Sequence, residues 1–470
     1  MPDADLPPDS PARLEQPPAP PGAVRRFVRA AKLLLFALLL AWLWLIFWNS
    51  AKPLPPGIHV VSETARLSEA DVDFLYPAQS RPASGGQDLA AIDRAEQLIV
   101  LDRSPVTPDL AQHLLARKRQ RPNLKVVVVT DPAAEAFGGT PLHTLAALEE
   151  SGIIVARVRL DRLRDSNPLY SGLWRLALDW WSDPFDEAPG GLPALLRRLN
   201  FKADQRQLMV ADDGAGGWIA SVGTGGGVAA GSGAVAGGKP GASAALMLRG
   251  SLARAITGSE LQIAAWSTGD DRLPPSPQSD GRGVGSIDAR FLTEGAIEGA
   301  LFDAISAAET GDQICIAVDN LSDRRLIGAM LRAAARGARL QVLLALNGMP
   351  NQPVAAELMD NGAGRIEVRW YPAASAPPRA RLLLVRHRAD LWLNLGSADF
   401  TRRNLGDLNL EAAVELRMPA RAVPARAAAE HFAQIWSSAS TEPSPGSLEQ
   451  GALLAYWRYR LAEAVGLSDF

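Results

Sequence analysis

Arginines and hydroxyl side chains gather in the last quarter of the chain: Arg379 and Arg381 before an apolar run, then Ser397, Thr401, Arg402 and Arg403 after it. A guanidinium offers a planar fork of donors that fits a phosphate, so this set can hold a phosphodiester anion. It cannot cleave one, because arginine stays protonated near neutral pH and neither attacks nor shuttles protons. Histidine would supply both functions. The five histidines are His59, His113, His143, His387 and His431; none is followed two positions later by lysine, and no lysine occurs after Lys239. His387, between Arg386 and Arg388, is the one candidate for a relocated catalytic group, although a solvent-facing turn residue is the plainer reading. Cys315 lies in the apolar run Ile314 to Val318 and reads as core, so neither an internal disulfide nor a cysteine-based metal site is available. No His/Asp/Glu cluster has ligand spacing, so no metal and no cofactor is expected. Gly225-Gly226-Gly227 lacks the strand-to-helix setting and the Lys-Ser/Thr of a nucleotide-binding loop.

These residues need elements to position them. Leu382 to Val385 and Leu391 to Leu395 read as two β-runs joined by a polar turn, followed by the small-residue turn Gly396-Ser397-Ala398-Asp399 and a basic helix start. Further upstream the body repeats itself weakly. A first copy has a strand at Gln97 to Leu101, a helix around Pro108 to Arg119 and a strand at Lys125 to Thr130, ending in Asp131-Pro132. A second has Gln313 to Val318, a helix from Ser322 to Arg336 and a strand at Arg339 to Leu346, ending in Asn347-Gly348. The helix stops at Gly337 and the strand begins at once, a short crossover that predicts parallel strands. Two α/β units in the same order imply a pseudo-twofold body with any site at the seam.

At 470 residues, 47% hydrophobic and 21% charged, the chain has a globular balance and room for two domains or one duplicated domain. A net charge of −3 gives no bulk attraction to nucleic acid or anionic lipid, so nucleic acid is not expected as a partner and any phosphate site must be local. Met1 to Gly22 is Pro-rich and cannot bury a core. Arg25, Arg26, Arg29 and Lys32 precede the apolar run Leu33 to Trp48, which flanking Ala30, Ala31 and a snorkelling Lys32 extend towards the roughly 20 residues of a span. A membrane anchor is preferred to a cleaved signal peptide, because the leader is long and no Ala-x-Ala site precedes Pro53. The basic cluster places the N-terminus in the cytoplasm and the body outside. For a bacterial chain this means a single-pass inner-membrane protein with a periplasmic domain. The segment Asn167 to Trp181 puts Leu169, Leu173, Leu176 and Trp180 at helical spacing, with packing on the body or a membrane-dipping lip as its two readings.

The order of strand, turn, strand and Gly-Ser turn resembles the second signature of the phospholipase D superfamily: His-x-Lys, then Asp, then Gly-Ser-x-Asn. Leu292-Thr293-Glu294-Gly295, Gly311-Asp312, Gly348 to Ala355, Tyr459-Arg460 and Gly466-Leu467 carry the likeness further, to a membrane-associated, cardiolipin synthase-like bacterial branch. It extends over nearly everything after about residue 55. The resemblance implies an α/β fold of two phospholipase D-like α/β/α repeats with pseudo-twofold symmetry, preceded by one N-terminal transmembrane helix. The divisions expected are a disordered cytoplasmic tail at 1–27, the anchor at 28–49, a linker at 50–57, repeats at 58–250 and 251–440, and a C-terminal helix packing on the body at 441–470.

In that family one histidine attacks phosphorus, the other protonates the leaving alcohol and lysines hold the non-bridging oxygens. Here the frames hold other letters. Gln205 and Gln207 stand for the first His and Lys, with Asp212 in the Asp frame; Arg379 and Arg381 stand for the second pair, and Asp399 for the Asn. Arg379, Arg381, Ser397, Thr401 and Arg402 are the implied substrate-binding residues, and Glu411 is a possible orienting acid. The reading is a membrane-anchored pseudoenzyme that binds phospholipid or another phosphodiester without turnover, with membrane phospholipid as its partner and a protein as a further candidate. The alternative is an active phosphodiesterase or phosphatidyltransferase that uses substituted residues or a partner's half-site.

Overall fold

The N-terminal helix α1 (Gly22–Ala51) is, over Val24–Ala51, long and apolar enough to cross a membrane, its apolar window reaching a mean hydropathy of 2.3. The structure, a computed structural model, describes residues 22–76, 85–132, 142–177, 202–225, 243–277, 283–346, 350–371, 380–441, 457–458 and 461. The tail before residue 22, Trp180 and Trp181, Asn347-Gly348, Arg379, Tyr459-Arg460, Gly466-Leu467 and nearly all of 441–470 lie outside the described residues.

Beyond α1 the chain forms β1 (Ala65–Leu67), β2 (Val72–Leu75), α2 (Gly85–Arg94), β3 (Leu98–Arg103), α3 (Pro108–Gln120), β4 (Lys125–Thr130), α4 (Leu142–Glu150), β5 (Ile154–Arg157) and α5 (Pro168–Ala177). The antiparallel strands β6 (Gln207–Asp212), β7 (Trp218–Gly223) and β8 (Ala245–Arg249) then lead into α6 (Ser251–Thr268). The second half has β9 (Ile287–Thr293), α7 (Gly295–Ser306), β10 (Gln313–Val318), α8 (Arg324–Arg336), β11 (Arg339–Leu344), α9 (Asn351–Asn361) and β12 (Ile366–Trp370). It closes with β13 (Leu382–His387), β14 (Asp390–Gly396), α10 (Arg402–Leu405), β15 (Ala412–Pro419) and α11 (Val423–Ser438).

These strands build two mixed sheets of matching design. One runs β2-β8-β7-β6-β3-β4-β5 and the other β1-β9-β15-β14-β13-β10-β11-β12. In each, a parallel trio (β3-β4-β5; β10-β11-β12) joins an antiparallel meander. The two copies predicted from the sequence are thus present, with parallel strands. Asp323 caps α8 by accepting from Leu326 N at 2.8 Å, and Gly337 ends it at φ 106°, a left-handed conformation that favours glycine.

Period-two alternation sets the layers. Along β6, Leu208 and Val210 face inward while Met209 and Ala211 face the helices α2, α3 and α4. Along β14, Leu391, Leu393 and Leu395 face inward and Trp392 outward. The inward residues of the antiparallel strands of both sheets merge into one shared core, to which α6 and α11 also contribute. Cys315 is part of this core, as its apolar setting implied.

One crossing was not legible in the sequence. β1, within the expected first repeat, pairs antiparallel with β9 of the other sheet. α6, expected to open the second repeat, sends Leu261, Ile263 and Ala264 against Leu98, Val100 and Val127 of the first sheet. The repeats are therefore laced together at their boundary.

Candidate functional site at the seam

The two signature segments meet where β6 begins. Gln205 N donates to Leu410 O and Leu410 N to Ala203 O, both at 2.9 Å, stitching the first signature to the chain just after α10. Asn404 Nδ2 reaches Gln205 Oε1 at 3.3 Å, so the position in the first histidine frame touches the second half. Gln207 turns away and donates to Ser104 O at 2.9 Å. Asp212 sits at the other end of β6, where its carboxylate accepts the amides of Glu96, Gln97 and Leu98 at 2.8–2.9 Å. It holds a turn and lies away from the seam.

In the second half, the Gly-Ser turn closes directly on the body. Ser397 Oγ donates to Glu411 and accepts from Ala412 N at 3.1 Å. Asn404 Nδ2 donates to the other Glu411 oxygen. Burial pushes the Glu411 pKa up to about 8, against the pull of Arg381, so this acid carries a proton at neutral pH. Thr401 caps α10, accepting from Asn404 N and donating to Asn404 Oδ1 at 2.8 Å. Arg402 donates to Ser166 O at 2.9 Å in the first half.

Arg381 sits at φ 31°, with Nη2 3.2 Å from Asp399 and 3.8 Å from Asp319 and Nη1 3.2 Å from Thr224 O. Burial works against its charge, but Asp399, Asp319 and Glu411 hold its pKa above the ordinary arginine value. Asp399 also accepts the amides of Asp319 and Asn320 at 3.0 and 3.2 Å. Its direct ion-pair partners are Asp399 and Asp319, so one cation faces two carboxylates. His387 does not join this group: its Nδ1 pairs with Asp312 at 2.9 Å at the opening of β10, about 20 Å of strand from Asp319 at its far end.

Sequence reasoning missed the strongest electrostatic feature, one residue along. Arg206, fully buried, donates to Glu294 from Nε at 3.2 Å and from Nη2 at 2.6 Å, to Glu260 at 2.7 Å and to Gly57 O at 3.1 Å. Glu294 also accepts His59 N at 2.9 Å and Glu411 N at 3.0 Å. Asp102, Asp131 and Asp204 are buried beside this pair. Burial, then Asp204 and Glu260, hold Asp102 well above the carboxylate range, so it keeps a proton and can donate to Glu260. Burial and Asp131 push Asp204 up to about 8. Arg206 was the unassigned letter between Gln205 and Gln207, and strand alternation sends such a residue to the opposite face. The signal was the Glu in Leu292-Thr293-Glu294-Gly295.

A protein-family model described as cardiolipin synthase, PLD-like domain, matches residues 301–436. Among solved structures, phosphatidylserine synthase from Haemophilus influenzae superposes with a TM-score of 0.55 at 12% identity, covering 86% of this chain and 94% of that one. Polyphosphate kinase from Porphyromonas gingivalis gives 0.46 at 14%, covering 84% of this chain and 53% of that one. Nuc, a phospholipase D family member from Salmonella typhimurium, gives 0.26 at 19%, covering 32% of this chain and 96% of that one. The first likeness is one of fold, and the other two carry no argument. No curated protein sequence matches the chain.

Proposed function

We infer that this chain, whose residues 301–436 match a PLD-like family model, is a membrane-anchored phospholipase D-like protein that does not hydrolyse phosphodiesters. One observation carries the reading: the described residues in the catalytic frames, Gln205, Gln207 and Arg381, include no nucleophile and no proton carrier, and each is hydrogen-bonded to the protein itself. Amide side chains have no usable pKa, and a guanidinium paired with a carboxylate neither attacks phosphorus nor protonates an alcohol. The seam is a joint between two repeats, and the protein acts as a scaffold at a phospholipid surface with a protein as its partner. The run of Arg25, Arg26, Arg29 and Lys32 before the apolar stretch favours a cytoplasmic N-terminus and a periplasmic body.

A second reading has a specific support. Arg381 Nε is buried with no hydrogen-bond partner among the described residues, so the seam keeps one unused donor for a phosphodiester oxygen. Arg379, Ser397, Thr401 and Arg402 would complete that receptor. Against it stand Asp319 and Asp399, which a phosphate anion would have to displace or tolerate.

The test uses the full chain reconstituted into vesicles of phosphatidylglycerol and cardiolipin, beside Arg381→Ala and His387→Ala. The scaffold reading expects no headgroup release or phosphatidyl transfer above protein-free vesicles. Turnover lost in either variant would overturn it. If turnover is absent, soluble glycerophosphodiester binding that disappears in Arg381→Ala would establish the receptor reading instead.

A further inference from the structure

Helix α5 is docked on the apolar stretch of α1, not beyond its end. Trp42 Nε1 donates to Leu169 O at 3.2 Å. A Cβ on Gly172 would lie 2.8 Å from both Ile46 Cγ1 and Trp42 Cδ1, so the helices touch through a glycine. From Trp42 to Ala51 the helix rises about 13 Å, roughly the thickness of one hydrocarbon leaflet. The chain below is clamped to the same helix end: Asp165 N donates to Asn49 O at 3.0 Å and Arg164 Nε to Lys52 O at 3.2 Å. Asp165 is in turn held by Ser171, Arg175 and Lys202. Lys202 and Arg175 draw the Asp165 pKa below its ordinary value although burial opposes them. This internal ion cluster fixes α5 to the body.

The outer face of α5 is apolar and, among the described residues, uncovered. Leu169 is 43% and Leu173 54% exposed, one helical turn apart, while Trp174 and Ser171 are buried. Leu43, Trp44 and Phe47 are likewise exposed on the neighbouring stretch of α1. An element hydrogen-bonded to Trp42 cannot stay in water while Trp42 is in the bilayer.

We propose that α5 enters the outer leaflet beside α1, placing Leu169 and Leu173 against lipid acyl chains, so that two helices rather than one flexible tether seat the body on the membrane at a fixed orientation. The sequence offered packing on the body or a lip in the membrane; the Asp165 cluster ties α5 to the body through Lys202 and, on this inference, Leu169 and Leu173 form the lip. The inference rests on α1 spanning the bilayer.

The test is nitroxide accessibility on the full chain in phosphatidylglycerol-containing vesicles. Leu169→Cys and Leu173→Cys are labelled in a Cys315→Ala background, beside Leu40→Cys as the span reference and Val284→Cys, at a position 93% exposed, as the aqueous reference. Oxygen should outrun a nickel chelate as relaxant at Leu169 and Leu173, as it does at Leu40. Adding Gly172→Leu, which forces the helices apart, should move the Leu173 label towards the behaviour of Val284 and leave Leu40 unchanged. A nickel-accessible Leu173 beside a lipid-facing Leu40 would overturn this inference alone. Protection of Leu173 from both relaxants would overturn it in favour of a protein cover, and an aqueous Leu40 would remove the anchor as well.

Discussion

Replacing Arg206 with Met tests the buried joint between the repeats. The guanidinium and both of its carboxylate partners are completely excluded from solvent. Removing one member of such a pair costs about 3–5 kcal/mol, because the remaining charge is stranded. The stranded acids have an escape, which is to take up protons. Neutralising one glutamate of ordinary pKa costs about 3.7 kcal/mol at pH 7 and about 1 kcal/mol at pH 5, at 1.36 kcal/mol per pH unit. Asp102 is already protonated next to Glu260, so Glu294 dominates the penalty. Arg206→Met should therefore lose about 3–5 kcal/mol at pH 7 and only about 1–2 kcal/mol at pH 5. Urea unfolding of the full chain in detergent, followed by tryptophan fluorescence, reads both values. Glu294→Gln on the Arg206→Met background should recover most of the loss at pH 7. A loss under about 1 kcal/mol, or one equal at the two pH values, would refute the assignment of Arg206 as the charge that balances the joint.

Other predictions concern protons and close contacts. The Asp204 carboxyl titrates at about 8 in the fold and near its ordinary value when unfolded. Its stabilising contribution is thus complete at low pH and lost as pH rises towards 8, by up to about 1.36 kcal/mol per pH unit, and Asp204→Asn should flatten that decline in urea midpoints. Glu411, protonated at neutral pH, should be replaceable by Gln for under about 1 kcal/mol at pH 7, while Glu411→Ala strands Ser397 and Asn404 and costs about 1–3 kcal/mol in the same assay. Gly396→Ala would set a Cβ on the Ala412 carbonyl oxygen and 2.6 Å from Ala413 Cα; a loss of about 3 kcal/mol or more, or failure to accumulate folded protein, is expected.

Local pattern carried much of this architecture. Continuous apolar runs at Gln313–Val318 and Lys125–Thr130 announced strands buried on both faces, and both lie inside parallel trios. The small residues at Gly396 to Asp399 announced a turn, because only glycine lets Ala412 approach so closely. Asn404, which the sequence did not single out, is the residue that reaches Gln205 across the seam. Asp212, in the Asp frame, lies at the far end of β6 and binds amides.

What stayed hidden was non-local. Arg206 finds Glu260 and Glu294 through partners 54 and 88 residues away, and no period within a strand encodes such a meeting. The pairing of β1 with β9 and the seat of α5 on Trp42 are of the same kind. Nor could the census of arginines reveal that Arg381 is neutralised by Asp319 and Asp399, which lie on separate turns.

Covalent chemistry at the seam can be tested directly by intact mass. The full chain, incubated with phosphatidylglycerol in mixed micelles and quenched at intervals, should show an unchanged mass at every time point, because Gln205 and Arg381 offer phosphorus no nucleophile. A phosphatidyl adduct that appears and decays with time would contradict the account, and its site would identify the residue that had taken over the chemistry.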